Sequence, residues 1–235
     1  MTERGRGAVE RGPDSLRIGP SGLRWEKGSL LIAIEERSVP WLRRLSGTIR
    51  VTPHDGPGRC FALDRQARHL WQPIAPRADI EVTLTEPALR WRGTGYLDSN
   101  QGSEPLQEGF RRWNWARAHL AQRTVILYDV ECRNGDARSL ALGLGGTIGV
   151  EALEPPPEAG LRRTGWRLAR PTRADDGIPP DLVRTLEDGP FYARSQLRTR
   201  LYGEVADAFH ESLDLDRFRS PLVRAMLPFR MPRRA

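Results

Sequence analysis

An all-β fold is predicted for this chain by three observations: period-two alternation of apolar and polar residues, a hairpin-turn dipeptide, and frequent Gly and Pro between short apolar runs. Leu45, Gly47, Ile49 and Val51 alternate with Ser46, Thr48 and Arg50, and Ile80, Val82 and Leu84 alternate with Glu81, Thr83 and Thr85. Both stretches read as strands with one face buried, because successive side chains point to opposite faces of a pleated strand. Asn134-Gly135 separates 125–133 from 137–144 and predicts a tight hairpin with positive φ at both central residues. Ala193, Ser195, Leu197, Thr199 and Leu201, set against Arg194, Gln196, Arg198 and Arg200, predict a further strand. Many short strands of this kind make a β-sandwich or a barrel.

Helix is predicted only at the carboxyl end. Val205, Phe209 and Leu213 recur every four residues and predict a helix over 204–218. Ser220-Pro221 then supplies an N-cap and first-turn proline for a second short helix through Leu227. The loop Glu154-Pro155-Pro156-Pro157-Glu158 interrupts the second half, and a seam near Glu104-Pro105 is expected to divide the chain into units 1–104 and 105–235. The final Phe229-Arg230-Met231-Pro232-Arg233-Arg234 mixes apolar and cationic groups, as either a frayed end or a peripheral membrane contact does.

The formal net charge is +7, and Lys27 is the single lysine. The arginines are interleaved with acids rather than gathered in a block, which reads as a GC-rich coding bias; the modest basic surface that remains suits an anionic membrane face or nucleic acid, and the membrane is preferred because no nucleic-acid recognition motif is present. Cys60 and Cys132 form no CxxC motif, which fits a reducing cytoplasm. No apolar run approaches the ~20 residues of a membrane span, and the amino terminus carries no signal-peptide pattern.

Gly95-Tyr96-Leu97-Asp98-Ser99-Asn100 is the most informative stretch. On one extended strand over 88–100, Tyr96 and Asp98 share a face with Arg90 and Arg92, while Leu89, Trp91 and Leu97 take the other. A carboxyl group beside an aromatic ring in an apolar pocket is kept protonated by desolvation and serves as a general acid, provided the arginines point elsewhere or are paired. The alternative is that Asp98 caps a turn before Ser99-Asn100. Trp71, Trp113 and Trp115 are equally open between core packing and a ligand pocket. His54, His69, His119 and His210 stand in no zinc-binding spacing; Gly143-Leu144-Gly145-Gly146 lacks the Lys-Ser/Thr of a phosphate loop, and no GxSxG elbow occurs. A metal- or nucleotide-dependent enzyme is therefore not expected.

The 95–100 stretch, with Glu104-Pro105-Leu106 and Phe110-Arg111-Arg112-Trp113-Asn114-Trp115-Ala116-Arg117-Ala118 behind it, resembles the signature of the bacterial carotenoid 1,2-hydratases. The opening Met1-Thr2-Glu3-Arg4-Gly5-Arg6 and the run from Leu63-Asp64 to Trp71-Gln72-Pro73-Ile74-Ala75-Pro76 extend the resemblance over most of the chain. It implies two lipocalin-like antiparallel β-barrel domains and a cofactor-independent hydro-lyase that adds water to the C1–C2 double bond of acyclic carotenoids such as neurosporene and lycopene. It also implies Asp98 as the acid and Trp71 and Tyr96 as aromatics that stabilise a cation. Trp113, Trp115, Asn100 and Glu104 are expected to bind substrate, Glu104 also being a candidate proton acceptor through a water. A cytoplasmic location at the photosynthetic inner membrane is implied as well, with no nucleic-acid partner. Members of the family carry strand-forming sequence ahead of such a Met-Thr-Glu-Arg segment, so the expectation is either that the start is set late or that the first barrel lacks its amino-terminal strands. Broader relatives of the fold place His and Trp after the Asp, where this chain has Ser99 and Gln101, which fits the carotenoid branch. A non-catalytic carrier of a long apolar ligand is the competing reading.

Overall fold

The computed structural model describes residues 4–38, 42–56, 58–145 and 149–227. The expected tail contact through Phe229 and Met231 lies outside the described residues. Seventeen strands and three short α-helices are described. The chain opens with β1 (Val9–Arg11), β2 (Ser15–Ile18), β3 (Ser21–Glu26), β4 (Ser29–Arg37), β5 (Arg44–Pro53) and β6 (Phe61–Ala62). The long strands β7 (His69–Glu86) and β8 (Leu89–Gly102) follow, then α1 (Leu106–Gly109). Next come β9 (Phe110–His119), β10 (Thr124–Cys132), β11 (Ala137–Leu144), β12 (Val150–Ala152), β13 (Glu158–Leu161) and β14 (Arg170–Arg173). β15 (Asp181–Asp188), β16 (Tyr192–Leu201), β17 (Glu204–Asp214), α2 (Leu215–Phe218) and α3 (Pro221–Met226) complete it.

Two compact units share the chain: one takes the described residues of 4–56 and 73–98, the other those of 58–72 and 99–225. The chain passes into the second unit after Asp98, six residues before the seam expected at Glu104-Pro105, and leaves it again at Met226, while 58–72 already belongs there. In the first unit an antiparallel sheet runs β1-β2-β3-β4-β5-β7, with β8 also paired to β7. Its core is Leu30, Val51, Ala75 and Ala78, against which Ile49, Ile80 and Leu97 pack. The expected pairing of the two alternating stretches is found, with Ile49 opposite Val82 and Val51 opposite Ile80. The alternation changes phase at Ser46/Gly47, where a register shift lets Ser46 turn inward. There its hydroxyl meets that of Thr85 at 2.7 Å. Gly47 adopts φ 143°, and a Cβ on it would stand 2.4 Å from the Thr83 carbonyl oxygen, so only glycine fits this close approach.

In the second unit the sheet runs β12-β11-β10-β9-β17-β16-β15, all antiparallel, and β13 and β14 form a separate ribbon. One face buries Ala116, Ala118, Val125, Leu127, Leu197, Leu201, Ala206 and Ala208. β16 keeps the alternation read from the sequence without a break, odd positions buried from Ala193 to Leu201. Among the described residues no strand pairing closes either sheet on itself.

Two expectations are corrected here. Residues 204–214 form β17, not a helix, and only 215–218 are helical. A spacing of four satisfies a period of two as well as one of 3.6, so Val205, Phe209 and Leu213 simply share one strand face. The opposite face, Ala206, Ala208, His210 and Ser212, is the buried one, and β16 and β9 flank the strand on both sides. In the β10–β11 hairpin, Gly135 alone of the central pair has positive φ, at 92°. The loop is a residue longer than expected: Cys132 N–H donates to the Asp136 carbonyl at 2.8 Å, closing a three-residue connection. The short helix after Ser220-Pro221 is present, with Arg224 N–H donating to the Ser220 carbonyl at 3.0 Å.

Candidate active site

Asp98 sits inside β8, which continues four residues beyond it, so it caps no turn. It is half-buried, and the Tyr96 hydroxyl donates to its Oδ2 at 3.0 Å. The pleat explains the contact, since residues two apart on an extended strand share a face. Leu97, between them, turns the other way into the apolar core of the first unit. Arg92 is held by Glu81 at 2.9 Å, so this arginine is paired, as an acid role for Asp98 requires. Gly95 precedes Tyr96 where a Cβ would stand 2.5 Å from the Ile80 side chain, which keeps this part of β8 close to its neighbour.

In the second unit Trp71 is fully buried near the start of β7. Its ring centroid lies 5.6 Å from that of Phe61 and 5.6 Å from that of Tyr128, the latter edge-on at 63°. Tyr128 in turn meets Trp113 edge-on at 5.8 Å and 81°. The register brings these rings together: Trp113 and Trp115 are two apart on β9, and Trp115 lies directly opposite Tyr128 on β10. Edge-to-face packing sets the negative face of one ring against the positive edge of the next. Asn100 is exposed and accepts from the Tyr128 hydroxyl at 3.4 Å.

Glu104 belongs to a different constellation. Its Oε2 takes Arg68 at 2.9 Å and its Oε1 lies 3.4 Å from Nε2 of His69. His69 is buried, packed against Phe110 with ring centroids 4.6 Å apart and tilted by 52°, and gripped by Gly102 and Gly109, where added Cβ atoms would stand 2.6 and 2.7 Å from its ring nitrogens. Asp64 holds the turn into this strand by accepting from the N–H groups of Gln66, Arg68 and His69. Burial alone raises the Asp64 carboxyl, but those three donors and His69 outweigh it and leave it below its ordinary value.

Of the expected site residues, Tyr96 pairs with Asp98, while Trp71 and Trp113 join through Tyr128, which also carries Asn100. Trp115 is buried beside them on the β9 ladder, and Glu104 is drawn off to Arg68 and His69. Tyr128 and His69 were not singled out from the sequence. Two signals pointed to them: His69 precedes Trp71 by two residues, and Tyr128 lies on an apolar strand beside the WxW strand. Among the described residues no three His, Cys, Asp or Glu side chains converge as a metal site.

Comparisons with known proteins agree with the motif resemblance. The chain is 51% identical over 234 residues to an acyclic carotenoid 1,2-hydratase from Thiocapsa roseopersicina and 45% identical over 236 residues to another from Rubrivivax gelatinosus. These alignments cover 99% and 100% of this chain but 58% of each relative, so the chain spans under two thirds of their length. A crystal structure of an AttH-type protein from Nitrosomonas europaea shares the fold, with a TM-score of 0.61 at 13% identity, covering 88% of this chain and 72% of that one. The family model described as carotenoid hydratase CrtC matches residues 1–235, and the chain belongs to that family.

Proposed function

We propose that this chain adds water across the terminal C1–C2 double bond of acyclic carotenoids such as neurosporene and lycopene, with Asp98 as proton donor and no cofactor. The observation that carries this reading is the Tyr96 hydroxyl donating to Asp98 within an unbroken strand. In this reading the Asp98 carboxyl carries the transferable proton. The proton goes to C2, the π electrons form the new C–H bond, and a tertiary cation remains at C1. The Tyr96 hydrogen bond stabilises the carboxylate left behind, because bonds to ionised groups are stronger than those between neutral ones. In this reading Trp71 stabilises the cation through its π face, and Trp113, Trp115 and Asn100 bind the polyene end. Water attacks C1 through its oxygen and its surplus proton returns to the Asp98 carboxylate, so each turnover consumes one water and restores the acid. Glu104, acting through a water, is the second candidate acceptor.

The finer architecture proposed is a pair of lipocalin-like barrels, of which the two antiparallel sheets supply the strands. The position proposed is peripheral, at the cytoplasmic face of a membrane; a substrate that partitions into hydrocarbon supports the membrane contact. Among the described residues no helix is long and apolar enough to cross a bilayer. Incubation with neurosporene or lycopene in detergent, followed by chromatography, tests the reading. A 1-hydroxy product supports it, and retention of unreacted carotenoid on the protein supports a carrier instead.

A further inference from the structure

The second unit contains a cavity of about 760 Å3 whose lining includes Arg162, Arg163, Trp166, Arg170, Leu182 and Asp188. Arg170 is only 3% exposed. Its Nε donates to the Arg162 carbonyl at 2.8 Å, Nη2 donates to the same oxygen, and Nη1 donates to the hydroxyls of Thr185 at 3.2 Å and Ser195 at 3.0 Å. All four bonds go to neutral oxygens, so they fix the guanidinium while only the nearby Asp188 offsets its charge, by less than burial costs it. Asp188 is the single acid of this lining, and its carboxylate is engaged by the backbone N–H groups of Gly165 at 2.7 Å and Trp166 at 3.4 Å. Three arginines against one aspartate leave the cavity cationic.

The mouth of the cavity is apolar as well as basic. Trp166 is 44% exposed and Leu182 40%. β15 is an edge strand of its sheet, so among the described residues its outer side faces no further strand. A soluble anion explains the arginines and leaves the exposed indole and leucine without a role. A phospholipid surface uses both: a phosphodiester matches guanidinium donors, and tryptophan is favoured where a surface is apolar on one side and wet on the other.

We propose that this cavity takes the phosphodiester headgroup of an anionic phospholipid while Trp166 and Leu182 enter the interfacial layer, making the β15 edge the membrane-docking surface of the chain. This names a surface for the membrane location proposed above, but it stands apart from hydration, since vesicle binding and turnover are read separately.

The test is flotation of the full chain with phosphatidylcholine vesicles, with and without phosphatidylglycerol. Comparison variants are R162E/R163E, W166S and, as a control of equal charge change, R90E/R138E at exposed positions that do not line the cavity. The expected result is binding only to vesicles containing phosphatidylglycerol, at least about tenfold weaker for R162E/R163E, weakened for W166S and largely kept by R90E/R138E. Circular dichroism matching the parent chain confirms that each variant is folded. Equal loss in R90E/R138E reduces the effect to bulk charge and overturns the proposal, as does parent-like binding by R162E/R163E. Calorimetric binding of inorganic phosphate without vesicle affinity overturns the lipid assignment.

Discussion

Tyr96 and Asp98 are held together by one hydrogen bond of 3.0 Å on one face of β8, and the proposed acid chemistry depends on that pair. Tyr96→Phe removes the donor and keeps the ring. Hydrogen bonds to charged groups contribute about 1.5–3 kcal/mol, so turnover is expected to fall roughly tenfold to a hundredfold with carotenoid binding retained. A rate within twofold of the parent chain in a chromatographic assay contradicts the role. A second residue-scale expectation concerns His210, fully buried, with Nε2 2.9 Å from the Pro171 carbonyl oxygen. Burial pushes its pKa down to about 4 from 6.5; Arg170 acts in the same direction, and the Pro171 carbonyl and Asp129 oppose it. The imidazole is therefore neutral in the folded chain and takes a proton more readily when unfolded. Stability is full above pH 6.5 and falls as pH drops towards 4, by about 3 kcal/mol at 1.36 kcal/mol per pH unit. Urea unfolding across that window is expected to show a shallower pH slope for His210→Gln than for the parent; identical slopes contradict it. At this scale the shared strand face of Tyr96 and Asp98 was legible from the two-residue spacing, whereas the surroundings of Tyr128 and His69 depend on strand register and side-chain packing, which local sequence does not carry.

Elements with one unambiguous period were legible, and those whose signal fits two periods were not. β16 alternates arginine and glutamine with small or apolar residues at every position, and a strand is the only regular element that suits it. β17 hides its buried face behind Ala206, Ala208, His210 and Ser212, which do not read as apolar, and its visible apolar residues fit helix and strand alike. The Ser46/Gly47 bulge was equally hidden, because the change of phase follows from pairing with β7 rather than from either residue alone. Gly47→Ala tests that bulge. With backbone atoms of Thr83 and Leu84 at 2.4 and 2.5 Å from the new Cβ, the sheet must shift, and urea unfolding is expected to show a loss of about 1–3 kcal/mol. An unchanged midpoint contradicts the close approach.

At the scale of the whole chain, the sequence showed a mostly β chain, but no local pattern shows how its strands are shared between units. Segment 58–72, carrying Trp71, Asp64 and His69, belongs to the second unit although some 26 residues of the first follow it, a relation that no local pattern encodes. Residues 105–235 expressed alone are therefore expected to unfold without a cooperative transition, since they lack Trp71, which packs against Tyr128, and Phe61, which packs against Trp71. A sharp transition matching that of the full chain contradicts this division. The central claim is carotenoid hydration by Asp98, and the most direct measurement incubates the parent chain and Asp98→Asn with neurosporene and quantifies the 1-hydroxy product. The parent is expected to form it. Asp98→Asn is expected to bind the carotenoid but lose roughly a hundredfold to ten-thousandfold in rate, the usual contribution of a general acid. Turnover by Asp98→Asn at a rate comparable to the parent contradicts the assignment.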